Sequence, residues 1–162
     1  MRYPVKFLKV HPDAILPEFQ RRKDSGFDLH CVEDVTIEYG KVTLIKTGLK
    51  MELPRNFPIV DGKNMIYDLT PELQVRPRGG FALKHGMTIV NTPGTVDNGF
   101  RGEICILATK LTPGEVKFEK GTRVAQGVIG LVMSNDLVDP VWVNELSETE
   151  RNEGMLTSTG TK

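Results

Sequence analysis

Cysteine is scarce in this chain of 162 residues: Cys31 and Cys105 stand apart, with neither the paired spacing of a zinc site nor the density of a disulfide scaffold. An excess of charge of one sign is also missing. Twenty-one basic side chains face 21 acidic ones, giving a net charge of zero and a pI of about 6.8. That balance argues against the broad basic surface needed to hold duplex nucleic acid, while leaving room for a small phosphate site. Long hydrophobic runs are absent too. The longest, residues 127–133, is seven residues, and a membrane-spanning helix needs about 20. The opening Met1-Arg2-Tyr3-Pro4-Val5-Lys6 meets charge and proline before any apolar core, unlike a secretory leader. The expectation is a soluble protein, cytoplasmic or otherwise intracellular, with no nucleic-acid or membrane partner.

Helical periodicity is thin. Pro17 breaks Ala14-Ile15-Leu16-Pro17-Glu18-Phe19-Gln20, and Arg21-Arg22-Lys23-Asp24 carries no apolar stripe. Ser147-Glu148-Thr149-Glu150 has the form of a capping box, but no apolar repeat follows it. One or two short helical turns are expected at most.

Strand signals, by contrast, are frequent. Val5-Lys6-Phe7, Val35-Thr36-Ile37 and Val42-Thr43-Leu44 alternate apolar and polar residues. Thr88-Ile89-Val90 and residues 104–108 and 128–133 are β-rich and partly continuous, as in strands covered on both faces. Sixteen glycines and ten prolines, about 16% of the chain against roughly 12% on average, supply the turns between them. Apolar residues at 39% and charged residues at 26% are ordinary for a globular protein. The pattern predicts one all-β domain, an antiparallel sandwich or barrel.

Catalytic signatures of the common hydrolases are missing. His11, His30 and His85 have no metal-ligand spacing, and HExxH, GxSxG and a Walker loop are all absent. Four segments carry more promise. In Asn91-Thr92-Pro93-Gly94-Thr95-Val96-Asp97-Asn98-Gly99-Phe100-Arg101-Gly102-Glu103-Ile104, the pair Asn98-Gly99 predicts a two-residue hairpin. Asp97 and Phe100 flank it, offering a carboxylate and an aromatic face to a flat ligand. Taken alone, Asp97 reads as a turn former and Phe100 as a cross-strand cover. In Pro77-Arg78-Gly79-Gly80-Phe81-Ala82-Leu83-Lys84-His85-Gly86, paired glycines let backbone N–H groups approach an anion, and Arg78 brings a fork suited to phosphate. The plain alternative is a glycine turn with a solvated arginine. Gln126 interrupts the otherwise apolar Gly121-Thr122-Arg123-Val124-Ala125-Gln126. Asp28 lies between apolar residues in Ser25-Gly26-Phe27-Asp28-Leu29, so it is either paired structurally or close to a cation.

In this order the segments resemble the motifs of the trimeric dUTP pyrophosphatases, the dUTPases: residues 25–29, 77–86, 91–104 and 121–126 are similar to the first four. Arg151-Asn152-Glu153-Gly154-Met155-Leu156-Thr157-Ser158-Thr159-Gly160 is similar to the fifth. The resemblance implies a jelly-roll-like β-barrel over residues 1–150. Residues 151–162 would form a flexible C-terminal arm closing over the active site of another subunit in a homotrimer. It implies hydrolysis of dUTP to dUMP and pyrophosphate with Mg²⁺ as cofactor. By resemblance, Asp97 activates the water that attacks the α-phosphorus. Phe100 packs on the deoxyribose, while Asn91, Gly94, Thr95, Val96 and Cys105 surround and read the uracil. Arg78, Gly79, Gly80 and Gln126 hold the phosphates; Arg151, Leu156, Ser158 and Thr159 cover the ligand from the arm. Asp28 reaches Mg²⁺ through water.

The chain departs from the family pattern in several places. Gly79 stands where the second motif has serine, and Leu156 where the arm has a base-stacking aromatic. Asn152 and Met155 replace arm glycines. Residues 56–71, with Asp61-Gly62-Lys63-Asn64, read as an extra surface loop or hairpin. These departures motivate an alternative, a non-catalytic or slow nucleotide-sensing or protein-binding relative. A dCTP deaminase-like enzyme is a weaker alternative, because residues 104–108 carry no carboxylate.

Overall fold

A computed structural model describes residues 3–60 and 66–149. Among the described residues, eleven strands and one short helix follow one another: β1 (Lys6–Lys9), β2 (Gly26–His30), β3 (Val35–Glu38), β4 (Thr43–Glu52), β5 (Phe57–Val60), β6 (Ile66–Arg76), α1 (Gly79–His85), β7 (Met87–Ile89), β8 (Gly94–Val96), β9 (Glu103–Lys110), β10 (Glu115–Phe118) and β11 (Arg123–Val132). The all-β expectation is borne out. Strands β1-β4-β9-β7 form one sheet, β10-β3 a second, and β2-β11-β6-β5 a third, with β8 also paired to β6. All three sheets feed one core that includes Leu29, Ile37, Ile45, Leu73, Ile104 and Ile106, each at most 1% exposed. Burying each such side chain contributes about 1.5–3 kcal/mol before the chain-ordering entropy is set against it.

The strand read least well from sequence is the longest. β6 carries Pro71, which has no N–H for a sheet ladder. The structure places Pro71 where β6 changes partner on one side: β5 pairs with it up to Leu69, and β8 begins opposite Leu73. The expected extra hairpin at 56–71 is present as β5 and the first half of β6, whose tip lies outside the described residues.

A second arrangement fixes β9. Strand β4 bulges between Lys46 and Lys50, with Gly48 at φ +67°. A Cβ on Gly48 would stand 2.6 Å from the Cβ of His11, so glycine is required sterically as well as conformationally. The freed Gly48 N–H donates to Glu103 Oε1 at 2.8 Å, and Thr47 Oγ1 donates to the Ile104 carbonyl at 2.6 Å. Alternation along β9 then sends Ile104, Ile106 and Ala108 into the core and leaves Glu103, Cys105 and Leu107 on the opposite face.

The paired glycines form no isolated turn: Gly79 and Gly80 open α1. Arg78 caps it in extended conformation, its carbonyl accepting from the N–H groups of Phe81 and Ala82, and Gly86 ends it at φ 60°. Good helix formers at Ala82, Leu83 and Lys84 favour the turn. Phe81 and His85 anchor it through ring contacts with Phe118 at 4.8 and 5.3 Å.

Candidate active site

Two cavities collect the chemistry-bearing residues. The first, about 250 Å³, lies between β8 and the open face of β9. Val75, Ile89, Val96, Ile104 and Leu107 give it apolar walls, while Asn91, Asp97 and Glu103 bring polar groups. Asn91, Gly94, Thr95, Val96, Asp97, Phe100 and Cys105, all expected from sequence, therefore line one cavity. The Asn91 amide lies against Gly94, where a Cβ would stand 3.3 Å from Nδ2. Phe100 folds its ring over Gly102, at the point a Cβ would occupy, and stays 46% exposed on the cavity wall. Burial raises the Cys105 thiol above its usual range, and the neighbouring Glu103 adds to this.

The turn beside the cavity differs from the expected hairpin. The Phe100 N–H donates to the Asp97 carbonyl at 3.0 Å, so residues 97–100 do form a turn. Neither Asn98 nor Gly99 has a positive φ, which excludes the type I′ turn by which such a pair closes a two-residue hairpin. The strands on either side also pair elsewhere, β8 with β6 and β9 with β4 and β7. The turn thus crosses from one sheet to another. Its hold comes from side chains: Asn98 Nδ2 donates to the carbonyls of Pro54 and Pro71, and Arg101 Nη1 to those of Asn98 and Phe100.

The second cavity, about 630 Å³, is polar and open. Arg78, Gly79, Gly80, Gln126 and Asp28 line it with Arg21, Asp24 and Arg123. Alternation in β2 buries Phe27 and Leu29 in the core and turns Asp28 to the other face. There its carboxylate is held at both oxygens, Oδ1 by Arg78 Nε at 2.9 Å and Oδ2 by Arg123 Nη1 at 3.2 Å. Arg78 also donates through Nη1 to the Arg123 carbonyl at 2.9 Å. The polar residue expected to interrupt β11 has a partner: Gln126 Nε2 donates to the Pro77 carbonyl at 3.0 Å. Its Oε1 approaches Gly26 so closely that a Cβ there would stand 2.6 Å away. Asp28 is thus paired structurally and set among cationic groups, joining the two readings its sequence allowed.

His30 sits two residues beyond Asp28 on β2, half-buried, with Nδ1 buried and without a hydrogen-bond partner among the described residues. Burial lowers its pKa, the charges of Arg123 and Arg78 push the same way, and Asp28 opposes them.

Sequence reasoning gave no role to Arg123 or Glu103. Arg123 opens β11 directly opposite His30, and only that long-range register brings it to Asp28. Glu103 is the first residue of β9 and needs the β4 bulge to fix its carboxylate. Arg151, Leu156, Ser158 and Thr159 lie outside the described residues. Among the described residues, no cluster of His, Cys, Asp and Glu could enclose a metal, and no helix is long and apolar enough to cross a membrane.

A family model described as dUTPase matches residues 66–160. The chain is 39% identical to a deoxyuridine 5′-triphosphate nucleotidohydrolase from Nautilia profundicola, the match covering 96% of this chain and 98% of that one. It is also 39% identical to the protein of that name from Clostridioides difficile, covering 98% of this chain and 99% of the relative. Among solved structures, the Staphylococcus bacteriophage 80alpha dUTPase with dUpNHpp shares the fold at a TM-score of 0.80 and 22% identity, covering 97% of this chain and 98% of that one. A mutant dUTPase from phage phi11 of S. aureus, described as coordinating a structural Mg(II) ion, aligns at a TM-score of 0.64 and 20% identity over 91% of this chain and 97% of that one.

Proposed function

The chain belongs to the dUTPase family, and on that premise we propose that it hydrolyses dUTP to dUMP and pyrophosphate at a site assembled from both cavities. The observation that carries the assignment is the 250 Å³ cavity, where Asn91, Cys105 and Phe100 meet Asp97. Its volume and mixed lining suit a flat, hydrogen-bonding base. The Asn91 amide and the backbone around Gly94, Thr95 and Cys105 read the uracil edge, and Val96 covers it. A cytosine amino group would leave a buried polar group mispaired, which discriminates strongly. Phe100 packs on the deoxyribose and crowds a ribose 2′-OH.

Asp97 takes a proton from water as the water oxygen bonds the α-phosphorus. The bond from that phosphorus to the bridging oxygen breaks, and pyrophosphate leaves. Phosphoryl transfer of this kind depends on positioning and charge neutralisation, which a fixed carboxylate and a cationic cradle supply. Arg78, the N–H groups of Gly79 and Gly80, and Gln126 hold the phosphate chain. Gly79 lacks the hydroxyl of the family serine, and one missing transition-state donor costs about 10²-fold or more in rate.

The residues fit Mg²⁺ in one way only. A carboxylate with both oxygens taken by arginines cannot cage a metal, but Mg²⁺ keeps several waters and takes phosphate oxygens directly. Asp28 has spare lone pairs to accept from such waters. Bound there, the metal would neutralise charge on the phosphates.

A homotrimer with shared sites is supported by two observations. No residue lines both cavities, so one chain presents its base pocket and its anion cradle separately. Residues 137–146 also run exposed with Leu137, Val138, Val141, Val143 and Leu146 uncovered and Trp142 fully in solvent. A second copy would cover them. The arm, residues 151–162, would then close over a neighbour's site with Arg151, Leu156, Ser158 and Thr159, ordering on ligand binding and excluding water. A charged nucleotide substrate supports a cytoplasmic or other intracellular location.

Pyrophosphate release measured with dUTP, dCTP, dTTP and UTP tests this reading. Turnover selective for dUTP supports it. Equal rates with all four would remove base reading, and tight dUTP binding without turnover would favour the sensor. The deaminase alternative requires ammonia release from dCTP; Glu103, the one carboxylate on the cavity face of β9, is committed to the Gly48 N–H.

A further inference from the structure

We propose that Asn98 is a positioning residue for Asp97, using its side-chain amide to extend a sheet ladder that Pro71 interrupts and so fixing the turn that aims the carboxylate. The inference rests on the hydrolytic reading above and adds a residue to it. In the β6–β8 ladder Leu73 pairs with Val96 and Val75 with Gly94. Extending that register by one pair of steps sets Pro71 opposite Asn98. The backbone cannot complete the pair, because Pro71 has no N–H to offer. Within a strand the N and C=O of one residue point to the same side, and the Pro71 carbonyl accepts from the Asn98 side chain, so the missing N–H also falls on the β8 side.

Asn98 closes that gap. Its Nδ2 donates to the Pro71 carbonyl at 3.1 Å and to the Pro54 carbonyl at 2.8 Å. One NH₂ group has two hydrogens, and here each has an acceptor. Pro54 follows β4, in the sheet that contains β9, whereas Pro71 lies in β6 of the other sheet. The amide therefore ties both sheets to the residue immediately after Asp97. Arg101 Nη1 binds the Asn98 carbonyl at 2.7 Å, and the Phe100 N–H closes on the Asp97 carbonyl at 3.0 Å. Asp97 itself lines the base cavity on one side of the turn and, with Asn98 and Gly99, a third cavity of about 370 Å³ on the other. Releasing the amide would free the turn to move between them.

The test compares kcat and KM for dUTP in wild type, Asn98→Ala, Asn98→Ser and Asn98→Asp, with thermal melting to confirm folding. A misplaced catalytic group loses roughly 10- to 100-fold in rate. We expect kcat to fall by that order in Asn98→Ala and Asn98→Ser while KM stays within about twofold. Asn98→Asp keeps the shape but turns acceptors toward two carbonyls, so its kcat falls further. Its kcat relative to wild type then rises as pH is lowered, because a protonated carboxyl regains one donor. Should Asn98→Asp not fold, the alanine and serine variants decide the matter. Folded variants with kcat within twofold of wild type, or with only KM changed, would overturn the proposal. Absence of dUTP turnover in the wild type would instead overturn the hydrolytic reading.

Discussion

Arg78 and Arg123 grip opposite oxygens of one carboxylate, Asp28, at 2.9 and 3.2 Å. The acid is 9% exposed at its side chain, whereas the two arginines are 27% and 46% exposed. Its charge sets the orientation of the guanidinium groups that line the polar cavity. Asp28→Asn should destabilise the fold by about 1–3 kcal/mol, less than for a fully buried pair because both arginines keep solvent contact. It should also raise the Mg²⁺ concentration needed for half-maximal dUTP turnover. Chemical denaturation and a metal titration of activity measure the two effects; an unchanged metal requirement would remove Asp28 from the metal site.

Gly79→Ser is expected to be neutral or activating. A Cβ at Gly79 meets nothing within 4 Å, so serine fits the first turn of α1 without displacing a neighbour. On the proposed reading, the added hydroxyl contacts the leaving-group side of the scissile phosphate. Steady-state kinetics with dUTP check this, and strong inhibition would show that the second motif is matched wrongly.

His30 should make the fold acid-sensitive. Burial lowers its pKa in the folded state below the ordinary value of 6.5. The unfolded chain then binds more protons as the pH falls below that value, so stability declines with acidification and is recovered above it. Melting temperature followed from pH 8 to about 5 should fall less steeply in His30→Gln than in wild type. Parallel profiles would remove His30 from the acid response.

Asp97→Asn should retain nucleotide binding while losing about 10²–10⁴-fold in turnover, the range for a positioned general base. Calorimetric binding of a non-hydrolysable analogue beside single-turnover kinetics separates the two quantities. An unchanged rate would exclude Asp97 from the mechanism.

Much of this site is legible in sequence because its parts are local. Asn91, Gly94, Thr95, Asp97 and Phe100 fall within one short segment and line one cavity. Strand β3 is likewise announced by its apolar alternation and β9 by its continuous apolar run, although only one face of β9 is fully buried. What stays hidden depends on register between distant strands. Arg123 reaches Asp28 only because β11 lies beside β2. The strand β6 is obscured by its own proline, which is tolerated because Pro71 falls between two partner strands. The Asn98-Gly99 pair misleads for a related reason. Its local preference is for a tight hairpin, but β8 and β9 belong to different sheets, and tertiary pairing overrides the dipeptide.

The most direct test is a crystal structure of the protein with a non-hydrolysable dUTP analogue and Mg²⁺. The account predicts uracil beside Asn91 and Cys105, and the Asp97 carboxylate about 3 Å from a water in line with the α-phosphorus. An Asp97 carboxylate turned away into the cavity behind the turn, with no water between it and that phosphorus, would contradict it.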